Sequence, residues 1–225
     1  MLNIDSIVSF PVVFIPGMHG TWLTWFINEH DEFVKLERLN TNILNNQTID
    51  YSIDSGWWHN YNTLEDFVGL ESKFHRCKTW REHLKQEYNL GHYTNAKATK
   101  AAVKLFPHHS MDGQEHVAAN LFNECKAIKV IIPFISDTLR EEMEARWVIL
   151  LRERDRNHTL SSVCLEKTFG WLNNLIDTHY VDIGKLMMKN EEEYQNLITN
   201  LGTQPLNNWQ DRCNRVLREI YNVKV

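Results

Sequence analysis

The run Val12-Val13-Phe14-Ile15, closed by Pro11 and Pro16, restricts the fold more than any other segment. It shows no alternation between polar and apolar faces. A strand of that kind is covered on both sides, the condition of a strand inside a parallel sheet flanked by helices. The chain then turns through Gly17-Met18-His19-Gly20. From Thr21 to about Lys35 it reads as a helix, with Trp22, Trp25, Phe26, Phe33 and Leu36 on one apolar side. Strand, glycine turn and helix, in that order, aim backbone N–H groups and the positive end of a helix dipole at one point. Anions bind such places.

The remainder keeps the same alternation. Ala101 to Phe106, Ile128 to Ile135 and His179 to Ile183 read as further strands. Helices are expected from Asp112 to Ala127, where Asp112 caps, and from Ser136 to Arg156, which Ser136 or Asp137 can cap. Others are expected over residues 161–178, 191–202 and 207–221. Asn40 to Asp54 is rich in Asn, Thr and Asp and predicts a loop or a weakly specified hairpin. Residues 40–95 read as an insertion over the open end of the sheet, with a helix from Ser72 to Asn89. The expected architecture is a single α/β domain over residues 1–225, a three-layer sandwich with a central parallel sheet and helices on both faces.

Composition narrows the function classes. Hydrophobic residues are 43% of the 225, enough for one core. A net charge of -5 is the wrong sign for a general nucleic-acid binder. Cys77, Cys125, Cys164 and Cys213 form no CxxC pair and read as reduced, packed thiols. His75 and Cys77 would leave a helix on different sides, so no metal site is expected there. The first residues lack a basic leader pattern and no apolar run is long enough to span a bilayer, so a cytoplasmic protein without a membrane segment is expected. The glycine loop lacks the GxxxxGK[ST] pattern of ATP and GTP sites, and no GxSxG elbow follows to support a hydrolase.

Three separated stretches resemble the sulfotransferase family, in the manner of a short, divergent member. "GMHGTWLTW" is similar to the family's opening "PKSGTTWL" loop at Gly20, Thr21 and either Trp22 or Leu23. "KVIIPFISDTLREEMEARW" begins like the mid-chain "KVIYVxRNPxD" segment at Lys129 and reaches Asp137. "YVDIGKLMMKNEEEYQNLITNLG" has the layout of the C-terminal "YEDL…ELxKLxxFLG" segment. The resemblance implies a P-loop-like sulfotransferase fold and the donor 3′-phosphoadenosine 5′-phosphosulfate (PAPS), with 3′-phosphoadenosine 5′-phosphate as product. By position, Gly17, Met18, His19, Gly20, Thr21 and Trp22 would cradle the phosphosulfate. Ser136, Thr138 and Arg140 would serve the mid-chain phosphate site. Met18 stands where the family has Lys or Arg, and His19 is the nearest replacement for that charge. Ile135 stands where the family has its arginine.

"VKLFPHHS" lies where the family has "KTHLP", so His108 or His109 is the expected general base and Lys104 the expected sulfate contact. A turn at a strand end explains the same residues equally well. The implied reaction is sulfuryl transfer to a hydroxyl or amine of a small-molecule or glycan acceptor, without metal. The alternative is a degenerate, non-catalytic binder of a ligand or partner that uses the aromatic stretch Trp57 to Tyr61.

Overall fold

The computed structural model describes residues 3–14, 19–34, 39–40, 48–49, 95, 97–105, 119, 122–123, 125–136, 138–139, 141 and 169–219. Four strands form one all-parallel sheet: β1 (Val8–Val13), β4 (Lys100–Leu105), β5 (Val130–Phe134) and β6 (Thr178–Asp182), in the order β4-β1-β5-β6. A separate antiparallel pair joins β2 (Leu39–Asn40) to β3 (Thr48–Ile49), the hairpin among the two options for that stretch. Helices flank the sheet: α1 (Gly20–Asn28), α2 (Ile183–Met187), α3 (Glu191–Leu201) and α4 (Trp209–Glu219). This is an α/β fold with a parallel sheet, as the apolar runs require. Of the helices expected from Asp112 to Ala127 and from Ser136 to Arg156, residues 119, 122–123, 138–139 and 141 are described and helical, while residues 125–127 have left the helix; the helix expected from Ser72 and most of the insertion lie outside the described residues. No helix among the described residues is long and apolar enough to cross a membrane.

The first strand differs from expectation in an instructive way. It begins at Val8 and holds Pro11 in its interior, whereas the prolines had been read as its boundaries. Ser9 sends its N–H to Lys126 C=O and receives the N–H of Ile128, so odd-numbered residues of β1 face β5. Pro11 shares that direction and has no N–H to give. The ladder between β1 and β5 is accordingly sparse, with Val12 and Ile131 as its registered pair, while all six residues of β1 pair with β4. Burial compensates. Phe10, Val12 and Val13 are at most 1% exposed, and Ile131 and Ile132 are fully covered beside them.

Helix α1 also stops short of Lys35. Asn28 ends it because its side-chain amide bonds Ala102 twice, Nδ2 to the carbonyl at 3.0 Å and Oδ1 from the N–H at 2.9 Å. An amide used in this way imitates a neighbouring strand. Beyond it the chain runs along the outer edge of β4. Glu32 C=O accepts from the N–H groups of Thr99 and Lys100, and Val34 N–H donates to Lys100 C=O. Phe33, expected on the apolar side of a helix, instead makes a parallel bridge to Lys100 and is fully buried. At Lys100 and Ala102 the edge therefore no longer offers its donors and acceptors to another chain.

Two further corrections concern the C-terminal third. Residues 161–178 had been read as one helix, but Gly170–Asn174 is a 3-10 turn, and residues 161–168 lie outside the described set. Helix α2 was not foreseen. It starts at Ile183, which had been given to the strand, and Asp182 caps it by accepting from Lys185 N–H. Helices α3 and α4 fall where expected. Asn190 caps α3 by accepting from Glu193 N–H, and Gly202 closes it in the left-handed region at φ 58. Lys100 Nζ donates to the carbonyls of Leu201 and Gly202 at the same helix end.

One buried polar chain joins α1 to α3 and to the segment before α4. His30 Nδ1 lies 2.9 Å from Ile27 C=O, and its Nε2 lies 3.4 Å from the Tyr194 hydroxyl. Leu206 N–H donates to that hydroxyl at 2.6 Å. A neutral imidazole protonated on Nδ1 satisfies every group: Nδ1–H to the carbonyl, Tyr194 O–H to Nε2, Leu206 N–H to the Tyr194 oxygen. Burial, the largest influence, holds His30 below its ordinary pKa, consistent with the neutral form. Tyr194 also stacks on Trp209 with ring centroids 4.3 Å apart. Alongside, Arg212 pairs with Glu29 and lies over Trp25. Cys125 and Cys213 are buried, as expected of packed thiols; Cys125 Sγ donates to Phe122 C=O at 3.7 Å, and burial pushes the Cys213 thiol up to about 12.

Two predictions follow from this packing. Tyr194→Phe leaves Leu206 N–H and the His30 ring without their partner, so it should cost about 1–3 kcal/mol in urea denaturation. His179, buried on β6, is lowered to about 4 by burial and by Lys129, with Asp177 opposing. The unfolded chain therefore binds the extra proton between pH 6.5 and 4, and stability falls as the pH drops through that window. The loss through this group should reach at most about 3 kcal/mol. His179→Gln should flatten that part of the slope when urea titrations are repeated across the window.

Candidate functional site

In a parallel sheet of this order, β1 leads away to β4 on one side and β5 leads away to β6 on the other. The strand order thus places a topological switch point beyond the carboxyl ends of β1 and β5. Open α/β sheets bind ligands at such a switch point. The sequence candidates converge there. His19 and Gly20 follow β1, and Ser136 and Thr138 follow β5. The backbone of Lys104 pairs with Val12 on the far side of β1. Gly17, Met18, Arg140, His108 and His109 lie outside the described residues.

His19 occupies the cap position of α1 with φ 56 and ψ 23, the left-handed region. A cap residue ordinarily sits in the extended region and accepts from the first-turn N–H groups. His19 does neither, and its side chain makes no capping bond. The first helical bond runs from Leu23 N–H to His19 C=O at 3.0 Å, so the N–H groups of Gly20, Thr21 and Trp22 precede it. Helices α2 and α3, by contrast, are capped by Asp182 and Asn190. A left-handed histidine costs about 1–2 kcal/mol, and such strain collects at functional sites.

Gly20 has a structural reason of its own. A Cβ there would overlap the Phe14 ring, which closes over the start of α1. The residue is glycine to admit Phe14, before any ligand is considered. Trp22 is likewise built into the core. Its side chain is 2% exposed and stacks on Phe26 at 5.2 Å, so its contribution to a loop site is its backbone N–H. Its indole N–H is buried without a partner among the described residues. Thr24, one turn on, donates its hydroxyl back to Gly20 C=O at 2.8 Å.

The β5 side holds residues that the motif reading passed over. Ser136, half-buried just after β5, is close enough to the Asp182 carboxylate to lower its pKa. Asp182, 3% exposed, accepts from the N–H of Lys185. Its own N–H donates to Glu193 Oε1 at 2.9 Å, and Glu193 Oε2 lies 3.7 Å from Lys185 Nζ. Burial raises the pKa of Asp182, and the N–H groups, Lys185 and Ser136 pull it back. Burial also raises Glu193, with Asp182 N–H and Lys185 opposing and the Asp182 charge adding to the rise. The sequence held one clue to this cluster. Asn190 and Glu193 stand in capping-box spacing, but Glu193 turns from the cap to Asp182 N–H, and so ties α3 to the end of β6.

With the geometry in place, comparison with known proteins adds no relative: no family model, curated protein or solved structure matches the chain. What the arrangement can do rests on its own chemistry. One side offers the first-turn N–H groups of α1, to which the cap side chain makes no bond. The other offers a half-buried hydroxyl near a buried carboxylate. No group of three or more His, Cys, Asp or Glu side chains suited to a metal ion occurs among the described residues.

Two substitutions separate packing from function at this turn. Gly20→Ala should destabilise by about 1–3 kcal/mol through the clash with Phe14, read as a lowered urea midpoint. His19→Gly should leave stability unchanged or raise it by up to about 1 kcal/mol, since glycine enters the left-handed region freely. A clear loss of stability in His19→Gly would show that the imidazole is held for packing.

Proposed function

We propose that this chain is a sulfotransferase-like protein of P-loop-like, three-layer architecture that moves a sulfuryl group from PAPS to a hydroxyl or amine acceptor. One observation carries the reading. The start of α1, whose cap side chain makes no bond to the first-turn amides, and the segment after β5 flank the same switch point, which is where a parallel sheet holds a nucleotide. The order of motifs in the sequence supplies the choice of sulfuryl chemistry.

In this mechanism the N–H groups of Gly20, Thr21 and Trp22 face the donor's 5′-phosphate, and His19 in its charged form takes the place of the family's basic residue. The bond from sulfur to the 5′-phosphate oxygen breaks, and a bond from sulfur to the acceptor oxygen or nitrogen forms. The acceptor proton passes to His108 or His109. The leaving product is 3′-phosphoadenosine 5′-phosphate. Lys104, one strand away, is assigned to the sulfate during transfer. Most of the acceleration then comes from position and from donors aimed at developing charge, as in phosphoryl transfer. A non-catalytic binder on the same fold is the second reading, favoured by Met18 standing at the position of the expected cation.

Binding of 3′-phosphoadenosine 5′-phosphate tests both. At a concentration one hundred times its Kd, a ligand of the folded state stabilises by about 2.7 kcal/mol, and a thermal-shift titration should show it. Absence of any shift at millimolar ligand removes the nucleotide reading. Where the ligand binds, His19→Gly should weaken it by about tenfold through the lost charge-assisted bond. His108→Ala and His109→Ala should separate turnover from binding: one of them abolishes sulfuryl transfer and keeps the ligand. Unaltered turnover in both would leave the reaction without its base.

A further inference from the structure

One buried hydroxyl decides where this fold can take up a proton. His30 and Tyr194 are both fully buried, and the rings of Phe26, Phe33 and Trp209 pack around the pair. Tyr194 has one O–H, which points at Nε2 of the neutral imidazole, 3.4 Å away. Its oxygen accepts Leu206 N–H at 2.6 Å. His30 Nδ1 is already committed to Ile27 C=O at 2.9 Å. A second proton on the imidazole must therefore go to Nε2, where it faces the hydroxyl proton. Among the described residues, the carboxylates beside it are already engaged. Glu29, at the end of α1, is paired with Arg212 of α4, and Glu32 accepts the Thr203 hydroxyl. Of the other titratable groups that bear on the pair, Arg212 adds a like charge, Glu191 on α3 is exposed, and Cys213 on α4 is a fully buried thiol.

We propose that protonation of His30 opens a latch, releasing Leu206 from Tyr194 and the connection between α3 and α4 from α1. That connection, residues 203–208, is the part able to yield. Gln204, Pro205, Asn207 and Asn208 are exposed. Its start is fastened by Thr203, through its N–H to Ile198 C=O and its hydroxyl to Glu32, and its middle by Leu206 N–H to Tyr194. In the open form water reaches the ring, and the imidazolium is solvated as in an unfolded chain. Burial holds the closed form below the ordinary histidine value of 6.5, whereas the open form takes its proton near that value. In the interval between the two the open form binds one more proton. Opening therefore gains as the pH falls through it, by up to about tenfold per pH unit. Trp209, stacked on Tyr194 at the start of α4, loosens with the connection. The latch belongs to the fold and holds whether or not a nucleotide binds.

Native-state hydrogen exchange on the intact chain tests this, with the Leu206 amide as the reporter of the latch and the Val130 and Ile132 amides of β5 as reporters of global unfolding. After correction for the intrinsic exchange rate, protection of Leu206 should be level above pH 6.5 and fall below it by up to about tenfold per pH unit, while the β5 amides stay better protected. Protection of Leu206 that changes by less than about twofold from about pH 7 to about pH 5 overturns the proposal. A fall shared equally by Leu206 and the β5 amides overturns it as well, because acid then unfolds the whole domain. His30→Gln presents a donor and an acceptor without titrating, so it should remove the slope at Leu206 and leave the protein closed at both ends of the pH range. A slope retained in that variant shows that another group carries the proton. The wild-type series decides by itself, so a His30→Gln chain that fails to fold leaves the test intact.

Discussion

A strand with no wet face governs this fold. β1 is covered above and below, and it has neighbours on both edges, so its backbone groups must find protein partners. Six registered positions with β4 supply most of them. Pro11 interrupts the other edge, yet the sheet continues because Ile131, Ile132 and Phe10 close the space that a full ladder would have closed. The order of the strands follows from this arrangement. With β1 between β4 and β5, the switch point of the sheet falls at its carboxyl end.

The outer edge of β4 shows the same constraint met by other means. No further strand of the described sheet lies there. An asparagine side chain and the backbone of three residues after the turn at Asp31 take the role, through Asn28, Glu32, Phe33 and Val34. That use of the chain explains why α1 is short. The residues past Asn28 have helical apolar spacing, but they contribute more as an edge cover than as two further helical turns.

How much of this was legible in the sequence depends on which physical signal each part carries. Strands β4, β5 and β6 and helices α3 and α4 are marked by local pattern: continuous apolar runs, an Asn cap and a Gly stop. The start of β1 was missed because Pro11 is a boundary by local rules, and the burial that tolerates it is a tertiary effect. The short α2 was missed because five residues are too few to show a period, and its cap, Asp182, had been read as part of a strand end. At the site, motif order led to His19, Gly20 and Ser136. It could not show that Phe14 dictates the glycine, or that Glu193 ties α3 to the end of β6, because both depend on side chains brought together across the fold. Glu193 was hidden among three consecutive acids that look like an ordinary helix start.

Helix α1 is fastened at its far end and held open at its near end. Asn28 is bonded to β4, His30 to Tyr194, and Glu29 to Arg212, while at the start Phe14 packs into the space that Gly20 leaves. A helix fixed in this manner has spent its conformational freedom during folding. In the proposed site, an anion at its first turn would meet donors already in place and order little else, so its binding would carry a small entropic penalty. The same rigidity ties selectivity to stability: a substitution in the distant Tyr194–His30 contact would loosen the frame in which those donors are aimed, and so would alter ligand recognition from the opposite end of the helix.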